Sequence, residues 1–195
     1  MMCDADNAIT PGEGLRPNLV LLSSGAGALA LVSMMSLPLP AAIASTILGA
    51  LMVAGADVDA RTYLLPDTVT WGGMTAGILA APALDPFEPW LSAGASVARA
   101  AGTALALALL RWGYGWLRER EGVGFGDVKL AAAVGAWLPL ASIPFCFALA
   151  TCSALAAIML GRLRGENIDA TAKLPFGAFL CPALWLVFYM CELPG

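Results

Sequence analysis

From Pro17 to Ala56 the chain runs through 40 residues without a single charge. A bilayer core takes about 20 apolar residues per helix, so this run holds two spans, divided at Ser36-Leu37-Pro38-Leu39-Pro40. Thr68 to Leu84 reads as a third span, and the region from about Arg99 to Leu117 as a fourth. Leu130 to Gly161 supplies 32 more uncharged residues, interrupted at Leu138-Pro139-Leu140 and at Pro144. That pattern reads as a fifth and a sixth short span joined by a tight turn. Leu174 to Cys191 is the seventh. Each segment is rich in Ala, Gly and Leu, and small residues let helices approach closely in lipid. The expected fold class is an all-α polytopic membrane protein of about seven transmembrane helices, with residues 1–17 as a tail and 18–195 as the integral membrane domain.

Composition agrees. Of the 195 residues only 12% are charged, while 59% are hydrophobic, against roughly 25% charged in a soluble domain. A soluble fold of this size could not cover its surface with so few charges. The absence of histidine removes Ser/His and Cys/His catalysis, His metal ligation and His proton shuttling. Cys3, Cys146, Cys152, Cys181 and Cys191 form no C-x-x-C pair, so no zinc site is expected. The last four lie in apolar stretches and read as small buried thiols. A net charge of −4 without a basic cluster argues against nucleic acid as a partner. Asp4, Asp6 and Glu13 make the first segment polar and acidic, with no small-residue cleavage site after a short apolar core. No removable signal peptide is expected there.

Seven spans that alternate sides sort the cations. Arg16, Arg61, Arg111, Arg118, Arg120, Lys129, Arg162, Arg164 and Lys173 fall on one side, and Arg99 falls on the other, near Asp85 and Glu88. Cytoplasmic loops carry the excess of Lys and Arg, which puts the N-terminus in the cytoplasm and the C-terminus outside.

Charges beside membrane spans are costly and mark function. Three segments concentrate them on the expected cytoplasmic side: Asp57-Val-Asp59-Ala-Arg61 running on to Leu65-Pro66-Asp67, then Gly122-Val-Gly124-Phe-Gly126-Asp127-Val-Lys129, and Lys173-Leu-Pro175-Phe-Gly177. They can converge into one site. Two carboxylates a few ångströms apart share a proton. The ionised one takes a proton from water and the protonated one donates to the carbonyl under attack, which is peptide hydrolysis without a covalent intermediate. Gly124 and Gly126, lacking a Cβ, permit a sharp turn and close approach of a substrate backbone to Asp127. A dinucleotide loop is rejected, because the third Gly of G-x-G-x-x-G would fall on Asp127 and no Rossmann strand precedes it.

The G-x-G-D stretch followed by V-K-L-A-A-A-V-G-A-W resembles the type IV prepilin peptidases, membrane aspartyl proteases of the GxGD type. The D-x-R-x-x-x-L-P-D stretch and the L-P-F-G-A-F stretch are similar to that family's other two signatures, so the resemblance runs from about Ala56 to Leu180. In the family the first catalytic Asp stands seven residues before the Pro of the L-P-D/N signature, which implies Asp59 here; the second is the Asp of G-x-G-D, here Asp127. Supporting positions implied by the three motifs are Pro66, Asp67, Gly124, Gly126, Lys129, Pro175 and Gly177. Asp57, two residues from Asp59, would point to nearly the opposite face of a helix. Asp67 reads as a cap on the donors opening the third span. Lys129 and Arg61 fit three roles, stabilising a catalytic carboxylate, binding a substrate acid, or anchoring helices at the interface, and the anchor explains them at least as well as the other two. Pro182-Ala183-Leu184, seven residues into the last span, reads as coincidence with a motif of other GxGD proteases.

What the resemblance implies is an endopeptidase of the bacterial cytoplasmic membrane. It removes the basic leader of prepilins or pseudopilins after a Gly at the cytoplasmic face, uses no metal or other cofactor, and works beside the pilus assembly machinery. Many relatives also N-methylate the product and carry a long N-terminal region with two Cys pairs. With about 16 residues before the first span and no such pairs, this sequence is similar to the short peptidase-only form of Flp/Tad-type systems, and methylation is not expected. Two other classes compete. A proton-coupled transporter would carry its carboxylates near the midplane. A metal-dependent lipid phosphotransferase would hold Mg²⁺ on Asp59, Asp67 and Asp127.

Overall fold

The computed structural model describes residues 17–118, 124–164 and 175–193. These residues form seven α-helices: α1 (Leu19–Ser36), α2 (Leu39–Thr62), α3 (Asp67–Leu84), α4 (Pro89–Arg118), α5 (Phe125–Trp137), α6 (Ile143–Leu163) and α7 (Phe176–Glu192). A single 3₁₀ turn, Leu140–Ser142, leads into α6. Among the described residues there is no strand. Arg16, Arg120, Gly122, Lys173, Leu174 and Cys3, all singled out in the sequence, lie outside the described residues.

The breaks fall where proline and backbone geometry put them. Pro38 is extended and stands just before α2, and Pro40 occupies its first turn, where a missing N–H costs nothing. Pro139 does the same for the 3₁₀ turn. α2 ends because Tyr63 takes up a left-handed conformation with φ 55°, unusual for a residue with a Cβ. The chain then turns through Leu64 and Leu65 into Pro66, which precedes α3. The fourth helix starts at Pro89, ten residues earlier than the sequence pattern marks it. Arg99 is carried inside the helix instead of bounding it, because its Nε donates to the Gly135 carbonyl at 3.3 Å.

Four helical segments, Leu19–Ser36, Leu39–Thr62, Pro89–Trp116 and Leu140–Leu163, are long and apolar enough to cross a membrane, and Phe176–Glu192 is a shorter apolar helix. The chain is a multi-pass membrane protein. Its outward faces are apolar, with Leu31, Leu105, Leu109, Leu110, Leu155 and Leu160 all exposed. In water such surface would be a liability; in a bilayer it meets acyl chains.

α5 is different. At 13 residues it is only about 20 Å long, and every residue from Leu130 to Trp137 is buried. It is the central post of the bundle, packed against α3, α4 and α7. Close approach is possible because the contact points are small. A Cβ on Gly135 would collide with Thr103 Oγ1 and the Arg99 carbonyl of α4, and one on Gly77 would lie 2.8 Å from the Trp137 ring. Polar groups inside the bundle are satisfied across helices: Trp137 Nε1 donates to the Gly73 carbonyl at 2.7 Å and Ser96 Oγ to the Ala136 carbonyl at 2.8 Å. Trp137 also meets Phe188 of α7 edge-on at 5.1 Å between ring centres. On the other flank the hydroxyls of Ser33 and Ser45 share a 2.8 Å bond between α1 and α2.

The four described cysteines are free thiols, but only Cys146 and Cys181 are buried; Cys152 and Cys191 are exposed. The expectation of four buried thiols fails for these two, since an apolar helix in a membrane turns part of its circumference to lipid.

Gly135→Ala would push α4 off α5 at a backbone contact that cannot yield. Overpacking costs about 1–3 kcal/mol, so the midpoint of thermal unfolding in detergent is expected to fall by several degrees. Gly102 of α4 faces open space, with nothing within 4 Å of the point a Cβ would occupy, so Gly102→Ala is expected to leave the midpoint unchanged or raise it.

Candidate active site

Asp59 stands in the last turn of α2 and is 4% exposed. A carboxylate so far out of water needs donors. They come from the start of α7, where helix N–H groups lack partners of their own. Ala178 N donates to Asp59 Oδ2 at 2.8 Å, with the Gly177 amide beside it. Pro175 precedes the helix and accepts Ala178 N on its carbonyl at 3.2 Å, so it sets where those amides begin. Gly177 has a steric reason to be glycine: a Cβ there would lie 2.9 Å from Asp59 Oδ2 and 2.6 Å from Leu65 Cδ1.

Asp127 is the third residue of α5, half-buried, and its Oδ2 accepts the Gly124 N–H at 3.2 Å. This is one half of a capping box; Gly124 has no side chain to make the other half. The bond orients the carboxylate toward the end of the helix. The two aspartates come from elements 68 residues apart in sequence (127 minus 59), yet the Asp59 charge reaches Asp127. The buried thiol of Cys181 on α7 lies within the field of both.

Nothing in the sequence singles out Leu65, although it belongs to the L-P-D stretch. Its side chain fills the gap between the two glycine motifs. A Cβ on Gly126 would lie 3.3 Å from Leu65 Cβ, and Leu65 Cδ1 is the atom nearest the Gly177 position. The left-handed turn at Tyr63 just before it is the local geometry that the sequence conceals.

The remaining charges pair among themselves. Asp57 faces away from Asp127, as its helix position implies: it holds Arg61 at 2.6 Å and accepts the Asn18 N–H at 2.8 Å, joining the start of α1 to the end of α2. Asp67 is the first residue of α3, after Pro66, but makes no capping bond. Its carboxylate reaches across to Lys129 Nζ at 2.5 Å, because the α5 lysine offers a full charge where the helix end offers only partial ones. The capping expectation for Asp67 is thereby corrected. Lys129 also stands 5.4 Å from the centre of the Phe125 ring. It is a clasp between α3 and α5, and its ion pair is not with either central aspartate. Pro182 is exposed on α7.

Asp59 lies three residues from the end of α2 and Asp127 three into α5, so both sit at one end of the bundle and not at mid-depth, where a transporter relay would hold them. Among the described residues no three Cys, Asp or Glu side chains form a group suited to a metal ion. Asp59 Oδ2 and Asp127 Oδ2 each accept a backbone amide, which fixes the orientation of both carboxylates.

Residues 46–160 match the type IV leader peptidase family. The chain is 36% identical over 178 residues to a prepilin leader peptidase/N-methyltransferase of Burkholderia pseudomallei, covering 86% of this chain and 52% of that protein. A prepilin leader peptidase/N-methyltransferase of Dickeya chrysanthemi is 37% identical over 143 residues, 69% of this chain and 47% of the relative. The leader peptidase HopD of Escherichia coli is 36% identical over 141 residues, 70% of this chain and 86% of that protein. The chain thus spans about half the length of the bifunctional relatives and most of HopD. No solved structure matches it. The matched stretch takes in both Asp59 and Asp127, and the chain belongs to the type IV leader peptidase family.

Proposed function

We propose that this protein is a membrane aspartyl endopeptidase that removes the leader from prepilins or pseudopilins, cutting after a glycine at the cytoplasmic face of the bacterial inner membrane. The observation that supports this reading is that Asp59 and Asp127 stand at one end of the bundle, each oriented by a backbone amide, with Leu65 packed against the glycines of both neighbouring motifs. The relatives' own descriptions as leader peptidases support the substrate class. Residues 18–195 form the peptidase domain, and residues 1–17 precede it as a cytoplasmic tail. The pilus assembly machinery is the setting in which such a product is used.

The chemistry follows from the pair. The ionised aspartate removes a proton from water as the water oxygen attacks the scissile carbonyl, and the protonated aspartate donates to the carbonyl oxygen. The tetrahedral diol collapses with proton transfer to the departing amine, and the shared proton is restored. Gly124 and Gly177 keep side-chain bulk away from Asp127 and Asp59, and Gly126 leaves room for Leu65. Lys129 with Asp67 ties the start of α5, which carries Asp127, to α3, and Pro175 sets the start of α7, whose amide holds Asp59; Pro66 begins α3 beside them.

Asp59→Asn and Asp127→Asn are each expected to abolish cleavage of a prepilin by the detergent-purified protein while the variants still insert. Asp57→Asn is expected to keep most activity, since its carboxylate serves Arg61 and Asn18. Turnover by either central variant, read as the product band over time, overturns the pair.

Gly177→Ala is expected to lower the initial cleavage rate by about a hundredfold or more, the scale of an ångström of displacement at a catalytic group. Gly126→Ala is expected to cost less, because its nearest neighbour is 3.3 Å away and belongs to a side chain. Equal rates for the two variants at matched enzyme levels would contradict this ranking.

The described cations Arg61, Arg111, Lys129, Arg162 and Arg164 cluster toward the helix ends on the Asp59 side. Taking each of the seven helices as a crossing, we assign this end to the cytoplasm and the C-terminus to the outside. A C-terminal reporter active only after export is expected to score positive, and one fused at Arg118 negative; the reverse result would refute the orientation.

A further inference from the structure

The end of the bundle opposite Asp59 and Asp127 holds a cavity of about 420 Å³, and it is lined by charge of both signs: Arg99 of α4, Asp85 after α3, and Glu192 closing α7. Leu84, Leu91 and Trp137 supply its apolar wall. Arg99 is ten residues into α4, about 15 Å along the helix from Pro89. An arginine at that depth in an apolar helix is expensive and needs a reason. Its guanidinium carries five N–H donors, and among the described residues its one hydrogen bond is from Nε to the Gly135 carbonyl. Asp85 and Glu192 border the same space, and among the described residues neither forms an ion pair with Arg99. One cation and two carboxylates thus face a shared cavity without neutralising one another. That arrangement is complementary to a ligand bearing an anion and an ammonium together.

The chain beside the cavity says where such a ligand resides. Leu91 lines the cavity, and it and its chain neighbours Phe87 and Trp90, in the turn between α3 and α4 and the start of α4, are 67%, 93% and 89% exposed. Aromatic side chains of this kind sit at the headgroup level of a bilayer. Side chains on a helix tilt toward its N-terminus, so Arg99 reaches from the apolar zone toward that same level. A soluble zwitterion would leave the apolar rim uncovered, whereas acyl chains would lie along it.

We propose that this cavity binds the headgroup of an aminophospholipid, with the phosphate on Arg99 and the primary ammonium on Asp85 and Glu192. The ammonium donates N–H bonds to the carboxylates; a quaternary choline cannot, and a glycerol headgroup has no cation. The inference is independent of the peptidase reading.

The test is native mass spectrometry of the full chain in detergent, titrated in parallel with phosphatidylethanolamine, phosphatidylcholine and phosphatidylglycerol. The wild type is expected to retain phosphatidylethanolamine at least tenfold better than the other two. Arg99→Gln is expected to weaken phosphatidylethanolamine and phosphatidylglycerol alike. Asp85→Asn with Glu192→Gln is expected to bring phosphatidylethanolamine down to the level of phosphatidylglycerol and leave the latter unchanged. Both carboxylates are at helix ends, so this second variant decides the matter if Arg99→Gln does not fold. Equal retention of the three lipids by the wild type overturns the proposal, as does an ethanolamine preference that survives the double variant. Displacement of the lipid by an equal concentration of free phosphoethanolamine also overturns it, since the site would then serve a soluble zwitterion.

Discussion

A carboxylate buried to 4% exposure at the end of a membrane helix is the constraint on which the rest of this structure hangs. Asp59 can stay there only while the first amides of α7 point at it, and Ala178 N does so at 2.8 Å. That one bond ties the end of α2 to the start of α7 across 119 residues of sequence. It also dictates a glycine at 177, since Oδ2 occupies the space a Cβ would need. The L-P-F-G motif is therefore a seat for a carboxylate: a proline to begin the helix, a glycine to let the oxygen in, and an amide behind it to donate.

The second aspartate depends on a different device. α5 is too short to act as a lipid-facing span and is buried along Leu130–Trp137, so its position is set wholly by neighbours. Gly135 against α4, Gly77 against Trp137, and the Trp137 bond to the Gly73 carbonyl fix its depth and rotation. Asp127 at its start inherits that position. Packing by small residues, which lipid cannot replace with a hydrophobic drive, thus reaches the site through the placement of one helix.

The ion pairs around the site are a looser layer. Asp67 has a side chain 69% exposed in its pair with Lys129, and pairs of that kind contribute between about 0 and 1 kcal/mol. The clasp of α3 to α5 therefore adds alignment more than stability. Asp57, Arg61 and Asn18 do the same for α1 and α2. Lys129 is held by Asp67 and Arg61 by Asp57, so neither of these cations is spent on Asp59 or Asp127.

Hydrophobic run lengths and prolines alone determined the helices, because a bilayer demands uninterrupted apolar stretches and Pro cannot sit in a helix interior without cost. Four of the seven elements begin and end close to the expected positions; α2 runs six residues past Ala56, α5 begins five before Leu130 and α4 ten before Arg99, in each case because a charge was read as a boundary and the helix carries it inside. The motif spacing put Asp59 and Asp127 at one membrane face, and the helical phase of Asp57 was enough to turn it away. The partners of those groups were beyond reach of the sequence. That Asp67 would leave the α3 amides for Lys129, that Ala178 would hold Asp59, and that Leu65 would stand between two glycines all depend on which helices are neighbours. Neighbours are chosen by where glycines and alanines let backbones meet, and that is a property of pairs of surfaces, which no one segment carries by itself.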